Sequence, residues 1–354
     1  MGAAMTRFRS ILVRLVCVLA IVLPLSAIGV TSAYAATFTA LTLSNGWHNA
    51  SGGTRPAAVA NVSGIVTLEG AIATAGSSPV ALTLPSAYRP STAAYVPVDL
   101  CNATKGRLFI AHSGVVTVQA AGGVFANAQC LTSLEGASFA VDATGFTALT
   151  LTNGWTNAPF STRNAAARKF GGVVHLEGAI ATSGVNPTAL TLPSALRPST
   201  DVYVPVDMCG AANGRLLVYH DGRIDIDPEG TFGDAQCFTS LEGVSFALDT
   251  TSFTVLPLKN GWVNDFSIRK AAARTIGGIV HFEGAVNSGT SATLFTLPAA
   301  FRPSTNVYVP VDLCNADNGR LLIKPSGVVT VQAESGTFSN AQCLTSLESA
   351  FFAL

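Results

Sequence analysis

Charge, histidine and long apolar runs are all scarce in this chain, and each scarcity removes a class of function. Among 354 residues, 20 Lys and Arg balance 20 Asp and Glu, so charged residues make up only 11%, against the ~25% of ordinary soluble domains. Neither sign dominates, and a nucleic-acid surface, which needs clustered Lys and Arg to neutralise phosphates, is excluded. Histidine occurs five times, leaving few imidazoles to serve as bases or metal ligands. Walker loops, dinucleotide-binding glycine fingerprints, His-Glu-x-x-His pairs and Gly-x-Ser-x-Gly elbows are all missing. The commonest phosphate, metal and acyl-transfer sites therefore lack their residues, and no cofactor is expected. A single long apolar run occupies residues 15–23, too short to cross a bilayer, which takes ~20 residues.

That run belongs to a leader. Arg7, Arg9 and Arg14 precede or border it, Pro24 stops it, and Ala33-Tyr34-Ala35 supplies a small-residue cleavage site, the three parts of a secretory signal in order. Residues 1–35 are thus read as a signal peptide, and the rest as secreted, extracellular and free of the membrane after cleavage. Cleavage removes three of the 20 basic residues and no acid, leaving 17 minus 20, or −3. With 49% of the chain apolar, its surface must be covered largely by Ser, Thr, Asn and Gly.

Of seven cysteines, Cys17 lies in the leader and six fall in pairs: Cys101 with Cys130, Cys209 with Cys237, and Cys314 with Cys343. An export signal and an even, evenly spaced set point to disulfides. A loop of about 30 residues closed by each would contribute on the order of 3.5 kcal/mol in the chain-entropy model.

The pairs mark a threefold internal repeat. Asn45-Gly46-Trp47 recurs as Asn153-Gly154-Trp155 and Asn260-Gly261-Trp262, and Tyr95-Val96-Pro97-Val98-Asp99 returns around Tyr203 and Tyr308. Three copies follow, at residues 36–142, 143–249 and 250–354. A period above 100 residues exceeds any solenoid unit, so each copy is the size of a domain. Within a copy, short runs of Val, Ile, Leu, Thr, Phe and Tyr are punctuated by Gly, Pro and Asn-Gly at the spacing of an all-β sandwich. The expected fold is three tandem antiparallel β-sandwich or jelly-roll domains. Asn213-Gly214 and Asn318-Gly319 read as hairpin turns, and residues 165–170 as one helical turn.

Catalytic constellations are thin. His112 and His220 have no third counterpart, nor do His175 and His281, which face Thr67 in the first copy; His48 stands alone. Acids recur as Glu69, Glu177 and Glu283; Asp99, Asp207 and Asp312; Glu135, Glu242 and Glu348. Paired acids are the minimum for glycoside hydrolysis, but arginines recur beside them at 55, 163 and 269; at 89, 197 and 302; and at 107, 215 and 320. In so uncharged a chain these sets read as ion pairs within each module or as hydrogen-bonded strand ends, and the protein as no enzyme. Asp225, Asp227 and Glu229 open like a calcium loop, but Gln236 stands where the bidentate Glu is required, so no metal is expected. All three tryptophans lie in the Asn-Gly-Trp motif, followed by Asn49, Asn157 and Asn264. Trp47, Asn49, Trp155, Asn157, Trp262 and Asn264 are candidate ligand-binding residues, a ring for the apolar face of a sugar and an amide for its hydroxyls. The same rings also suit the closing of a sandwich core.

The order Asn-Gly-Trp, then Ala-Arg-Lys-Phe-Gly-Gly-Val-Val-His-Leu-Glu-Gly over residues 167–178, then Leu-Pro-x-x-x-Arg-Pro and Gly-Arg-Leu-x-Val resembles the β-sandwich head domains of bacteriophage tail-fibre and baseplate receptor-binding proteins. The resemblance implies modules that trimerise and bind host-surface saccharides, and it transfers no site residue. An export signal, cysteine pairs and three copies in one chain depart from that pattern. Three fused copies would pack about a pseudo-threefold axis inside a single polypeptide. The expected function is lectin-like binding of a cell-surface glycan or polysaccharide by three similar modules, the alternative being a structural coat or appendage component acting through protein contacts.

Overall fold

The computed structural model describes residues 36–265, 267–334 and 336–354; the leader read from residues 1–35 lies outside them. The first repeat runs β1 (Thr39–Ala40), β2 (Trp47–Asn49), β3 (Ala58–Val62), β4 (Ile65–Glu69), β5 (Ala71–Thr74), β6 (Val80–Thr83), β7 (Ala94–Asp99), β8 (Lys105–Ile110), β9 (Val115–Ala120), α1 (Phe125–Cys130), β10 (Thr132–Ser133) and β11 (Ser138–Ala140). They form antiparallel sheets β1-β3-β4-β11, β2-β5-β10 and β6-β9-β8-β7. The last is a Greek key: β7, β8 and β9 follow in sequence, and a long connection brings β6 beside β9. The other two repeats reproduce all three sheets. The fold is all-β, as expected.

Period-two patterning builds these sheets. Along β9 buried and part-exposed residues alternate, which puts Val116, Val118 and Ala120 on the core face. Ser63 and Gly64 link β3 to β4 with φ of 55° and 87°, the left-handed pair that a two-residue hairpin turn needs. Each repeat closes its own apolar core. Val59, Leu68, Ile72, Leu100, Leu108 and Phe139 belong to the first, Leu176, Val204, Met208 and Phe246 to the second, and Phe282, Phe295, Leu313 and Phe352 to the third.

Two expectations change. Residues 166–170 form a strand, paired along its length with Val173–Glu177, because Ala166 and Ala167 are drawn into the sheet over the core. Asn213-Gly214 and Asn318-Gly319 begin strands rather than turning; the motif's conformational licence goes unused. Among the described residues the α-helices are α1 and its equivalents Phe232–Cys237 and Phe338–Cys343, each six residues long and therefore too short to show a 3.6-residue period. Each helix ends on the second cysteine of its pair, bonded to the cysteine after the β7-type strand, with Cα atoms 5.6, 5.7 and 5.6 Å apart.

Polar contacts between repeats run in a cycle. Ser133 donates to the Tyr308 carbonyl, Ser240 to Tyr95 and Ser346 to Tyr203, all at 2.6 Å. The strands Ala94–Asp99, Val202–Asp207 and Val307–Asp312 lie against one another. The repeats therefore form a ring about a pseudo-threefold axis, within one compact unit.

Candidate functional site

Two rings of ion pairs hold the repeats together. In the first, Arg55 lies 2.7 Å from Glu69 and 3.2 Å from Glu135, and also donates to the Ala353 carbonyl of the third repeat at 2.8 Å. Arg163 does the same with Glu177, Glu242 and Ala140, and Arg269 with Glu283, Glu348 and Ala247. One guanidinium thus serves two carboxyl groups. Burial pushes Glu135 and Glu177 up to about 7 and Glu283 to about 8, with Arg55, Arg163 and Arg269 opposing. Glu135, Glu177, Glu242, Glu283 and Glu348 are buried, Glu69 is partly so, and each pair is bound to the arginine of its own repeat.

The second ring corrects the expectation of pairs within a module. Arg107 reaches Asp207 at 3.0 Å, Arg215 reaches Asp312 at 3.4 Å, and Arg320 reaches Asp99 at 3.1 Å. Each pair joins neighbouring repeats. In each case the arginine lies over a tyrosine of its own repeat, Tyr95, Tyr203 or Tyr308, 4.8 to 5.1 Å from the ring centre, the stacked geometry a planar cation favours.

This second ring lines surface clefts at the seams. Between repeats 3 and 1 a cavity of about 460 Å³ is lined by Asn102, Arg320, Gln332, Glu334 and Phe338. Between repeats 1 and 2 a smaller one of about 100 Å³ is lined by Tyr95, Arg107, Phe160, Gly210 and Phe238. Gln119 and Gln332 accept from Nε of Arg107 and Arg320, and neither arginine's Nη2 meets a protein acceptor among the described residues. At the remaining seam Asp227 engages both Nε and Nη2 of Arg215.

The cleft between repeats 1 and 2 carries an aromatic cluster. Tyr95 meets Phe109 and Phe238 at 4.9 Å, and Phe160 meets Phe238 at 5.7 Å. Phe160 is 59% exposed and sits in a segment where Ala158, Phe160 and Ser161 have φ of 60°, 55° and 62°. Left-handed backbone at three non-glycine residues stores strain of order 1–3 kcal/mol each. Its position is held by the first repeat, whose Ala93 N–H donates to the Ser161 carbonyl at 3.2 Å. The sequence offered no sign of Phe160, because its exposure follows from backbone angles that no motif encodes.

The tryptophans lie elsewhere. Trp47, Trp155 and Trp262 are 5%, 5% and 4% exposed, donate Nε1–H to the carbonyls of Ser78, Asn186 and Ser291, and meet Phe125, Phe232 and Phe338 edge-on. Asn49, Asn157 and Asn264 accept from the backbone N–H of Ala57, Ala165 and Ala271. Both members of the motif are occupied in closing the core. Of the second-repeat acids, Asp225 accepts from Thr188 and Asp227 from Arg215. His175 and His281 meet at the axis with Thr67 around a cavity of about 30 Å³. Burial lowers them to about 4 and 3, helped by Arg168 at His175 and by His175 and Arg274 at His281.

Three disulfides suit an oxidising compartment. Among the described residues no helix is long and apolar enough to cross a membrane. No family model, curated protein or solved structure matches the chain.

Proposed function

We propose that this is a secreted, non-catalytic binding protein of the lectin kind, recognising a cell-surface glycan or polysaccharide through the clefts between its repeats. The observation that carries the reading is Phe160, a large aromatic ring held out on strained backbone beside Tyr95 and Arg107. Strain of this sort concentrates at ligand clamps. The cleft combines what a sugar needs: aromatic surface for the apolar face of a pyranose, and a guanidinium edge for its hydroxyls. The larger cleft adds Asn102 and Gln332. A ring of three repeats is also the arrangement that the resemblance to trimeric phage heads leads one to expect. Two usable clefts on one rigid body would raise avidity toward a repeating polymer.

A glycan array and a panel of insoluble cell-wall polysaccharides test this directly. Phe160→Ala should weaken retention at least tenfold while leaving the thermal transition in place, since the side chain is mostly outside the core. Equal retention by Phe160→Ala and the wild type, or no binding to any saccharide by a folded sample, would count against the proposal.

A further inference from the structure

Lys105, Asn213 and Asn318 are equivalent residues that open the strands Lys105–Ile110, Asn213–Val218 and Asn318–Ile323, and all are buried. Each stands two residues before the arginine of the second ring, so alternation along the strand puts both side chains on one face. At the first seam both reach the same carboxylate. Arg107 lies 3.0 Å from Asp207 Oδ2, and Lys105 Nζ lies 3.4 Å from Oδ1 and 3.1 Å from the Gly106 carbonyl.

At the second seam Arg215 again takes the Oδ2 oxygen, of Asp312. Asn213 is too short to do what Lys105 does, and its Nδ2 donates to the Ala316 carbonyl at 2.7 Å. Asp312 Oδ1 and Asn213 Oδ1 are left without a protein partner, although Asp312 is wholly buried and Asn213 only 4% exposed. Two desolvated acceptor oxygens on the residues equivalent to Asp207 and Lys105, which pair at the first seam, call for a cationic partner.

The surrounding charge points the same way. Asp227 and Asp317 act on Asp312, and Glu229 of the second repeat hydrogen-bonds Asn213 and, with one of the two acids protonated, Asp317 of the third. The cation paired with this group is Arg215, shared between Asp227 and Asp312. Once pH exceeds about 7, where Asp312 and Glu229 lose their protons, the seam therefore carries an excess of negative charge.

We propose that the second seam, at Asp312 Oδ1 and Asn213 Oδ1, binds a monovalent cation of ammonium size, K⁺ under ordinary salt conditions, which takes there the part that the Lys105 ammonium takes at the first. Oxygen donors suit a hard ion. A divalent metal is disfavoured, since no group of three carboxylate, imidazole or thiolate side chains among the described residues is placed to hold one. The third seam repeats the two unpartnered atoms, as Asp99 Oδ1 and Asn318 Oδ1. There Glu334, which hydrogen-bonds Asn318, also meets Lys105, so less negative charge is left to attract an ion.

Thermal unfolding of the wild type in potassium chloride and in N-methylglucamine chloride, at matched ionic strength, reads the site. Saturating K⁺ should raise Tm by roughly 3–5 °C. Asn213→Lys, which carries its own ammonium into the seam, should lose that difference and unfold in N-methylglucamine at the temperature the wild type reaches in K⁺. Should that variant not fold, thallium(I) soaked into wild-type crystals reports through an anomalous peak at Asp312 and Asn213. A wild-type Tm that is the same in both salts, with no thallium peak, would overturn the proposal in favour of water or a proton on Asp312.

Discussion

Arg55, Arg163 and Arg269 illustrate how single residues hold this molecule together. Each guanidinium touches two carboxyl groups of its own repeat, wholly or largely buried, and a carbonyl of the repeat before it in the cycle, so its removal strands two acids at once. Breaking a buried pair from one side is far more damaging than replacing it whole. Arg269→Met should lose about 3–5 kcal/mol, measured by urea unfolding, whereas the triple change Arg269→Met, Glu283→Leu, Glu348→Leu should recover much of that loss. A loss below ~1 kcal/mol for the single variant would show that solvent reaches these carboxylates. The recurrence of the arginines and acids was legible in the sequence; for the second ring the partner was not. Arg107 is as well placed in sequence to pair with Asp99 as with Asp207, and only the packing of one repeat on another decides the matter.

At the level of elements, the disulfides fasten α1 and its two counterparts to the turn that follows the β7-type strand. That turn begins the polar seam, since Asn102, Gly210 and Asn315 project from it at positive φ. The bridge therefore fixes the cleft wall as well as the fold. Cys209→Ser with Cys237→Ser should lower stability by about 2–4 kcal/mol and weaken saccharide retention as strongly as Phe160→Ala; unchanged calorimetric Tm would contradict the first expectation. Left-handed tolerance alone did not fix a turn, since Asn213-Gly214 and Asn318-Gly319 open strands, but strands and cysteine pairing were readable because alternation and spacing are local properties. The orientation of the tryptophan after the turn was not, because display and burial of the ring use the same three residues and differ only in where Phe125, Phe232 and Phe338 stand.

The molecule as a whole gathers ionisable groups at its axis and seams, and their shifts set its response to pH. Asp99 and Asp312 are raised to about 7 by burial, as are Glu135 and Glu177, and Glu283 to about 8. A carboxyl whose folded pKa is raised keeps its proton longer in the native state, so its contribution is complete below about 4.5 and lost as pH climbs toward 7–8. The buried His175 and His281 act in the opposite sense, being lowered to about 4 and 3. Their contribution is complete above about 6.5 and is lost as pH falls through those values. Carboxyl groups outnumber imidazoles, so Tm should be highest near pH 5 and lower at pH 8, in scanning calorimetry at constant salt. A transition at pH 8 equal to or above that at pH 5 would remove the buried acids from the account. None of this was visible in composition, where the charges are sparse and balanced; it arises because folding concentrates them in three seams.

The ring also closes across the chain's own sequence order. Ala36 donates to the Gly277 carbonyl and Leu354 to the Gly278 carbonyl, so the start of the first repeat and the end of the last meet on one turn of the third. Every repeat then has the same two neighbours, and none is terminal in space. A chain opened between residues 142 and 143 and rejoined from Leu354 to Ala36 would keep every neighbour relation, which makes this polypeptide a circle that happens to be written as a line.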